Sequence, residues 1–331
     1  AFRMAGVAVI LALMGVGLLT SVLSGLEDKI AAAKGDEILG TEGDDTLTGG
    51  DGREFVQGLG GNDVLIGNGA ADLLVGGDGA DLIFGGAGDD NLQGEAGDDT
   101  LRGNDGADFL DGGAGDDKRS GFAGNDTLEG ENGFDTIDGG TGDDLMRGGN
   151  NADAMSGGAG RDVMLGGTGD DTLLGEGDDD VMQGDAGRDL LLGGAGNDTI
   201  SGYYDGTIDG VYEQRDTLDP DALRGEAGAD TLIMGSGDRA AGEEGADLFA
   251  SGVWVDPDNP PIVEDFVTDE DQIAVIVPIA MQDGAVDVLP GVAPGEQIVT
   301  FGGVAVAIVK TVSGVGLTSG DVILIGAENF V

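Results

Sequence analysis

Through the middle of this 331-residue chain a carboxylate returns every ninth residue, each time among glycines, as in GGAGDDNLQ (85–93) and GGAGNDTIS (193–201). Take the glycines at 40, 49, 58 and each ninth place after as position 1. The 18 units from 40 to 201 then carry Asp at position 6 in 17 cases and Glu54 in the other. Position 4 is Gly in 15 of 18 units, and position 8 is Leu, Ile, Val or Met in 17 of 18. A run of this length and strictness is an internal repeat. Glycine at positions 1 and 4 predicts left-handed backbone angles, a tight turn and carbonyls aimed inward. A carboxylate beside those carbonyls makes an all-oxygen nest for a hard cation that takes about six to eight ligands. Calcium suits it better than magnesium, which demands strict octahedral geometry and keeps its waters.

Other chemistries are closed off by inventory. The chain has no Cys and no His, which removes disulfides, thiolate chemistry, ordinary zinc sites and every His-dependent catalytic arrangement. Paired carboxylates can serve a glycosidase, but these recur identically in every unit and have a metal to hold, so the chain reads as a non-enzyme. Against 14 basic residues stand 65 acidic ones, a net charge of −51. Nucleic acid is thereby an unfavourable partner, since phosphate contacts need Lys and Arg. So much like charge also opposes compaction unless something positive is bound. Aromatics are only 4% of residues and glycines number 69, so any core is thin and backbone lies close to backbone.

These side chains need elements that stack them. Each unit reads as a turn followed by a very short strand, positions 7 to 9, with position 8 pointing inward. Two units make an 18-residue coil with two facing strands. One side of the coils then stacks Asp45, Asp63, Asp81, Asp99, Asp117, Asp135, Asp153, Asp171 and Asp189. The other stacks Glu54, Asp72, Asp90, Asp108, Asp126, Asp144, Asp162, Asp180 and Asp198. Coils about 4.8 Å apart would set bare carboxylates against each other, and a divalent ion between each pair reverses the sign of that interaction. Filling every gap would take about 16 ions carrying about +32, well over half the chain's negative charge, so metal binding and folding should be one event.

The pattern GGxGxDxUx, with U apolar, resembles the RTX (hemolysin-type) calcium-binding repeat. That resemblance implies a parallel β-roll with multiple Ca2+ ions in the turns, held by the position-6 carboxylate and turn carbonyls, in an extracellular setting. Departures from the pattern mark places to examine. Ala70, Asn151 and Asp178 replace the position-4 glycine, where weaker binding or a bend is expected. Arg119 replaces an inward apolar residue; the expectation is a side chain snorkelling outward at a local distortion, with a partner contact as the alternative. Met146, Met155, Met164 and Met182 read as adaptable core filling.

Residues 1–35 are expected to form a hydrophobic transmembrane helix with a short extension. Met4 to Gly25 carries no charge over 22 residues, enough at about 1.5 Å each to cross a bilayer. Arg3 before it and acids after it orient the remainder outside the cytoplasm. A cleaved secretory signal is the alternative. The roll proper is assigned to 36–201. Residues 202–224 break the period, hold Tyr203, Tyr204 and Tyr212, and read as an inserted loop whose aromatics are candidates for glycan or protein contact. Repeats resume over 225–275, making Asp230 and Asp247 further candidate ligands. The stretch after the Pro-rich 256–261 segment resembles the closing segment of the roll in serralysin-type proteases, at Asp265, Phe266 and Asp271, and Asp265 and Asp271 are counted with the candidate metal ligands. That family's HExxH motif needs histidine, which is absent. Residues 276–331 read as a small terminal β-sheet that caps the roll. The expected architecture is thus all-β: a parallel β-roll, a C-terminal β cap and an N-terminal transmembrane helix. The expected role is a calcium-binding, membrane-anchored structural or scaffold protein on the outer side of a bacterial cell envelope. It would serve as an adhesin or as an accessory subunit whose protein partner lies in a membrane complex or at the cell surface. The alternative is a secreted protein of matrix or surface layer.

Overall fold

The computed structural model describes residues 37–202, 220–252, 255–268, 270–277, 284–291, 296–311, 316–318 and 321–326. The N-terminal hydrophobic segment and the tyrosine-bearing stretch 203–219 lie outside the described residues. Among the described residues no helix is long and apolar enough to cross a membrane.

The 29 described strands form two long sheets, one of 14 strands and one of 15, with successive strands alternating between them as far as Gln272–Val277. Within each sheet neighbours through the roll are parallel and offset by 18 residues, as in Phe55 against Leu73 and Val64 against Leu82. This is the expected coil of two nine-residue units. Parallel strands ordinarily need long crossovers; here the return path is the facing strand itself, so the connection is only a turn.

The strands are longer than the three residues expected. From Phe55 to Ala195 they run from position 7 through position 3 of the next unit, as in Val64–Gly69 and Leu82–Ala87. The kink sits at position 2. Leu59, Glu95, Phe122 and Glu176 there have φ of 86°, 75°, 72° and 75°. From Gly61 to Asp198, position 4 is left-handed as well, including Ala70, Asn151 and Asp178 at 65°, 78° and 74°, so the three departures keep the turn rather than bend it. Left-handed backbone at position 1 is not found. The glycine there is required by space: an added Cβ at Gly94 would fall 2.3 Å from Asp99 Oδ2 and 2.5 Å from the Gly112 carbonyl oxygen.

Position 8 supplies the core. Val56, Leu65, Leu74, Ile83 and Leu92 are fully buried, and the series continues through Met146, Met164 and Met182 to Ile200 and Leu223. Burying each such side chain contributes about 1.5–3 kcal/mol. Backbone groups in the turns pair from coil to coil: Val64 N–H donates to the Asp45 carbonyl, and Gly79 N–H to the Ala96 carbonyl. With those bonds the turns lose their need for water, and the coils can lie close.

The insertion leaves the register intact and is shorter than expected. Leu190 pairs with Ala222, Leu191 with Leu223 and Leu192 with Arg224, so the repeat has already resumed before residue 225. Toward the C-terminus larger side chains fill the roll, with the Phe249 and Phe266 rings 6.2 Å apart. The terminal strands do not make a sheet of their own. Val322–Gly326 adds in parallel to Gln272–Val277 in one sheet. Val304–Thr311 adds in parallel to Ile262–Phe266 in the other, and there Glu296–Phe301 and Val286–Pro290 follow antiparallel. The antiparallel pair changes strand direction at the edge of that sheet.

Candidate metal sites along two rows of carboxylates

At each turn from Gly61 to Asp198, the backbone enters position 6 from a left-handed position 4, and the strand that follows pins the Asp backbone to the coil before it. The side chain then has one direction to go, back along the roll axis. Every position-6 Asp from Asp63 to Asp198 is at most 4% exposed, and Glu54 is 8% exposed. Asp45 is only half-buried, at the first described coil.

Within each row the carboxylates are linked by a repeating hydrogen bond. The N–H of one position-6 residue donates to Oδ1 of the next Asp along the row: Asp45 to Asp63 at 2.7 Å, Asp63 to Asp81 at 2.7 Å, Asp135 to Asp153 at 2.8 Å. One row runs without a break through ten such bonds, from Asp45 to Asp189 and on through Asp221 to Asp238. The other runs through eleven, from Glu54 to Asp198 and on through Asp230 and Asp247 to Asp271.

That bond uses one carboxylate oxygen. The other, Oδ2, is buried with no hydrogen-bond partner at every position-6 Asp from Asp63 to Asp198 except Asp117, and again at Asp230 and Asp247. Leaving one buried acceptor unpaired costs about 1–3 kcal/mol, more when it is charged. A long row of them is a site waiting for a positive partner. Oδ2 shares its space with backbone oxygen. A Cβ added at Gly58 would fall 2.1 Å from Asp63 Oδ2 and 2.6 Å from the Gly76 carbonyl oxygen, and the same pair of oxygens converges on Gly67, Gly85 and Gly121. Nowhere among the described residues do three or more acidic side chains gather to hold one metal ion. An ion here would take a carboxylate or two and complete its shell from carbonyls, a donor set of hard oxygens that fits calcium.

The electrostatics carry the same strain. Burial pushes the carboxyls of Asp99, Asp108, Asp144, Asp153, Asp180 and Asp189 up to about 7, against the backbone N–H that each accepts, and neighbouring Asp charges push further in the same direction. Asp90, Asp162, Asp171, Asp230 and Asp247 are pushed up to about 6, again chiefly by burial. A carboxyl that resists ionising beside its neighbours is stabilised by a proton or by a metal ion.

Placement differs at the ends. Asp45 Oδ2 is taken by the Thr41 N–H at 2.6 Å and Glu54 Oε2 by the Gly50 N–H at 3.1 Å. Asp271 continues its row through Oδ1, but its Oδ2 accepts the Val267 N–H at 2.7 Å. Asp265 leaves the pattern: its two oxygens accept the N–H groups of Gly242 and Glu243 at 3.0 and 2.9 Å, which makes it a clasp on a turn. Two members of the first row were missed in the sequence, Asp221 and Asp238. Their signal was present in DALRG (221–225) and DRAAG (238–242), which match positions 6 to 1 of units such as DLLLG (189–193). Spacings of 32 and 17 residues in place of 18 hid them. The correction at Arg119 is larger. Its side chain does not snorkel outward; it is buried inside the roll at 2% exposure, against Asp117 and Asp135.

Fold and site together define a parallel β-solenoid whose turns are lined by oxygen cages. The RTX calcium-binding nonapeptide repeat is the family whose sequence model matches, at residues 31–65, 48–83, 57–92, 84–118, 120–155, 147–182, 156–191, 174–203 and 216–240. These cover more than half of the chain, which therefore belongs to that family, and calcium binding with a structural role follows from its repeats. No curated protein is similar enough to the chain to count as a match.

Proposed function

We propose that calcium ions held between successive coils turn an anionic chain into a rigid rod, and that the rod serves as a structural element outside the cytoplasm. The observation that carries this reading is the row of buried Oδ2 atoms without partners, which faces the position-1 carbonyls at coil after coil. The proposed ligands are the position-6 carboxylates from Asp63 through Asp198 apart from Asp117, whose Oδ2 faces Arg119, with Asp221, Asp230 and Asp247 extending the rows. Asp45, Glu54, Asp238 and Asp271 close the ends, where protein N–H groups already satisfy the second oxygen.

The terminal strands act in this reading as the cap. Sheet edges expose unpaired backbone, and the antiparallel turn at Glu296–Phe301 and Val286–Pro290 reverses strand direction where a further coil would otherwise add. The uncharged run Met4–Gly25 is the proposed attachment to a membrane, with the roll as scaffold, adhesin or accessory subunit. Washing membranes with carbonate separates the outcomes: an anchored chain stays with lipid, and release into the wash would favour the secreted alternative.

Sedimentation and circular dichroism on the purified chain, with calcium and after its removal, test the central claim at neutral pH. The expected result is a compact, strand-rich rod with calcium and an expanded coil without it. A metal-free chain that stays compact and strand-rich at neutral pH would overturn the proposal.

A further inference from the structure

One coil breaks the rule that position 8 is apolar. Arg119 stands there, between Leu101 and Ile137 in the parallel register, and its side chain is wholly buried. Its Nη2 lies 2.7 Å from Asp135 Oδ1 and 3.5 Å from Asp117 Oδ2, and its Nη1 donates to the Glu129 carbonyl at 2.6 Å. Asp117 is accordingly the one position-6 Asp between Asp63 and Asp198 whose Oδ2 has a partner. The glycine above it tells the same story. A Cβ added at Gly94 would meet Asp99 Oδ2 and then the Gly112 carbonyl oxygen, whereas one added at Gly112 would meet Asp117 Oδ2 at 2.3 Å and then the guanidinium carbon at 2.6 Å. In this coil the guanidinium fills the space that carboxylate and carbonyl oxygens enclose elsewhere.

We infer that Arg119 is a built-in cation: it closes the slot between Asp117 and Asp135 to calcium and ties these two coils together without metal. The inference rests on the reading that the other slots take calcium. Three physical facts support it. A guanidinium keeps its charge at any pH a protein survives, so the clasp does not depend on conditions. Its planar fork reaches two carboxylates and a carbonyl at once, which a lone ammonium does less well. And a calcium ion in the same space would set three positive charges within a few ångströms of each other in a poorly solvated interior, a repulsion that excludes it.

The consequence is positional. Coils of a solenoid touch mainly their neighbours, and folding can begin anywhere and spread. A metal-independent clasp near the middle of the roll marks one place where order persists when calcium is scarce, and from which calcium-dependent coils zip outward in both directions.

The test compares the wild type with R119L, which restores the apolar residue of other coils, and with R119M, which matches the coils filled by Met146 and Met164. Equilibrium dialysis against calcium should give about one more ion per chain in both variants than in the wild type. Hydrogen exchange on metal-stripped protein should give protected amides around residues 99–137 in the wild type, and exchange as fast as in neighbouring coils in both variants. Equal ion counts would overturn the closed slot, and equal exchange would overturn the clasp. A wild type that takes up no calcium at all would instead overturn the proposed function, while the exchange comparison would still decide the role of Arg119.

Discussion

At Gly94 the α-carbon faces the carboxylate of its own turn and the carbonyl of the next coil. The position-1 glycines are therefore kept for lack of room alone, whereas glycines at positions 2 and 4 from Gly61 on meet a left-handed backbone angle and a close carbonyl together, as at Gly97 against the Gly79 carbonyl oxygen. Position 1 isolates the demand for room. Gly94→Ala would put a methyl group 2.3 Å from Asp99 Oδ2 and 2.5 Å from the Gly112 carbonyl oxygen. It should destabilise the calcium-loaded roll by about 1–3 kcal/mol, as overpacking does, and lower the calcium count. Gly43→Ala is the control, because Gly43 lies ahead of the left-handed series and no atom lies within 4 Å of an added Cβ there. Its effect should stay within about 0.5 kcal/mol. Thermal melts at saturating calcium read both, and equal melting points for the two variants would contradict the cage. Spacing alone could not sort these glycines, since a period reports that a residue recurs and not which constraint makes it recur. Arg119 shows the same limit. A charged residue at an apolar position usually turns outward, and only the stacked neighbours Asp117 and Asp135 reveal why this one turns in.

The unit of the fold is the coil, and its cohesion has two parts. Position-8 side chains hold its two strands against each other, and the Oδ1 bonds join it to the next coil. Asp153→Asn separates hydrogen bonding from charge. Asparagine keeps an oxygen to accept the Asp135 N–H, now 2.8 Å from Oδ1, but brings no negative charge to the cage. Calcium titration by calorimetry should show the loss of about one to two ions and a less steep curve. The roll on either side should persist, because each coil depends mainly on its neighbours. An unchanged titration would argue that carbonyls alone hold the metal. At this scale much was legible in advance. The 18-residue coil, the two rows and the inward position 8 all follow from a strict period. The element boundaries were less legible: strands reach through position 3, because coil-to-coil hydrogen bonds extend the ladder beyond the apolar triplet. The terminal strands 304–311 and 322–326 read as a separate sheet in sequence, yet they extend the two long ones, since alternating apolar residues specify a buried face and not which strand supplies the edge.

For the whole molecule the balance is between −51 formal charges and whatever cancels them. Protons are the alternative to calcium, and the direction of their effect follows from the buried carboxyls. Asp99, Asp108, Asp144 and Asp153 are pushed up to about 7 from an ordinary value of 3.8, mainly by burial. A raised carboxyl means that the folded, metal-free roll binds protons more tightly than the unfolded chain. Its contribution to stability is complete below the ordinary carboxylate range and is lost as pH rises through about 7. Metal-stripped protein should therefore compact and gain strand signal on acidification from pH 7.5 to about 5, while calcium affinity falls over the same interval because protons compete for the same oxygens. Sedimentation and circular dichroism across that range would read the first effect and calcium titration the second. Expansion of the stripped chain on acidification would show that the carboxylates are not held as described.

The periodic placement of glycine, carboxylate and aliphatic residues determined the coil, its two facing strands and the rows of acids, because a β-strand alternates sides and a fixed period stacks like on like. It also determined the chemistry, since a chain without His or Cys has only oxygen to offer a metal. What tertiary structure alone decided was direction and company. It turned one carboxylate oxygen to the preceding coil's N–H and left the other for a cation. It brought Asp221 and Asp238 back into line across spacings of 32 and 17 residues, and it drew Arg119 inward. Each of these depends on groups one coil away in space, which distance along the chain does not encode.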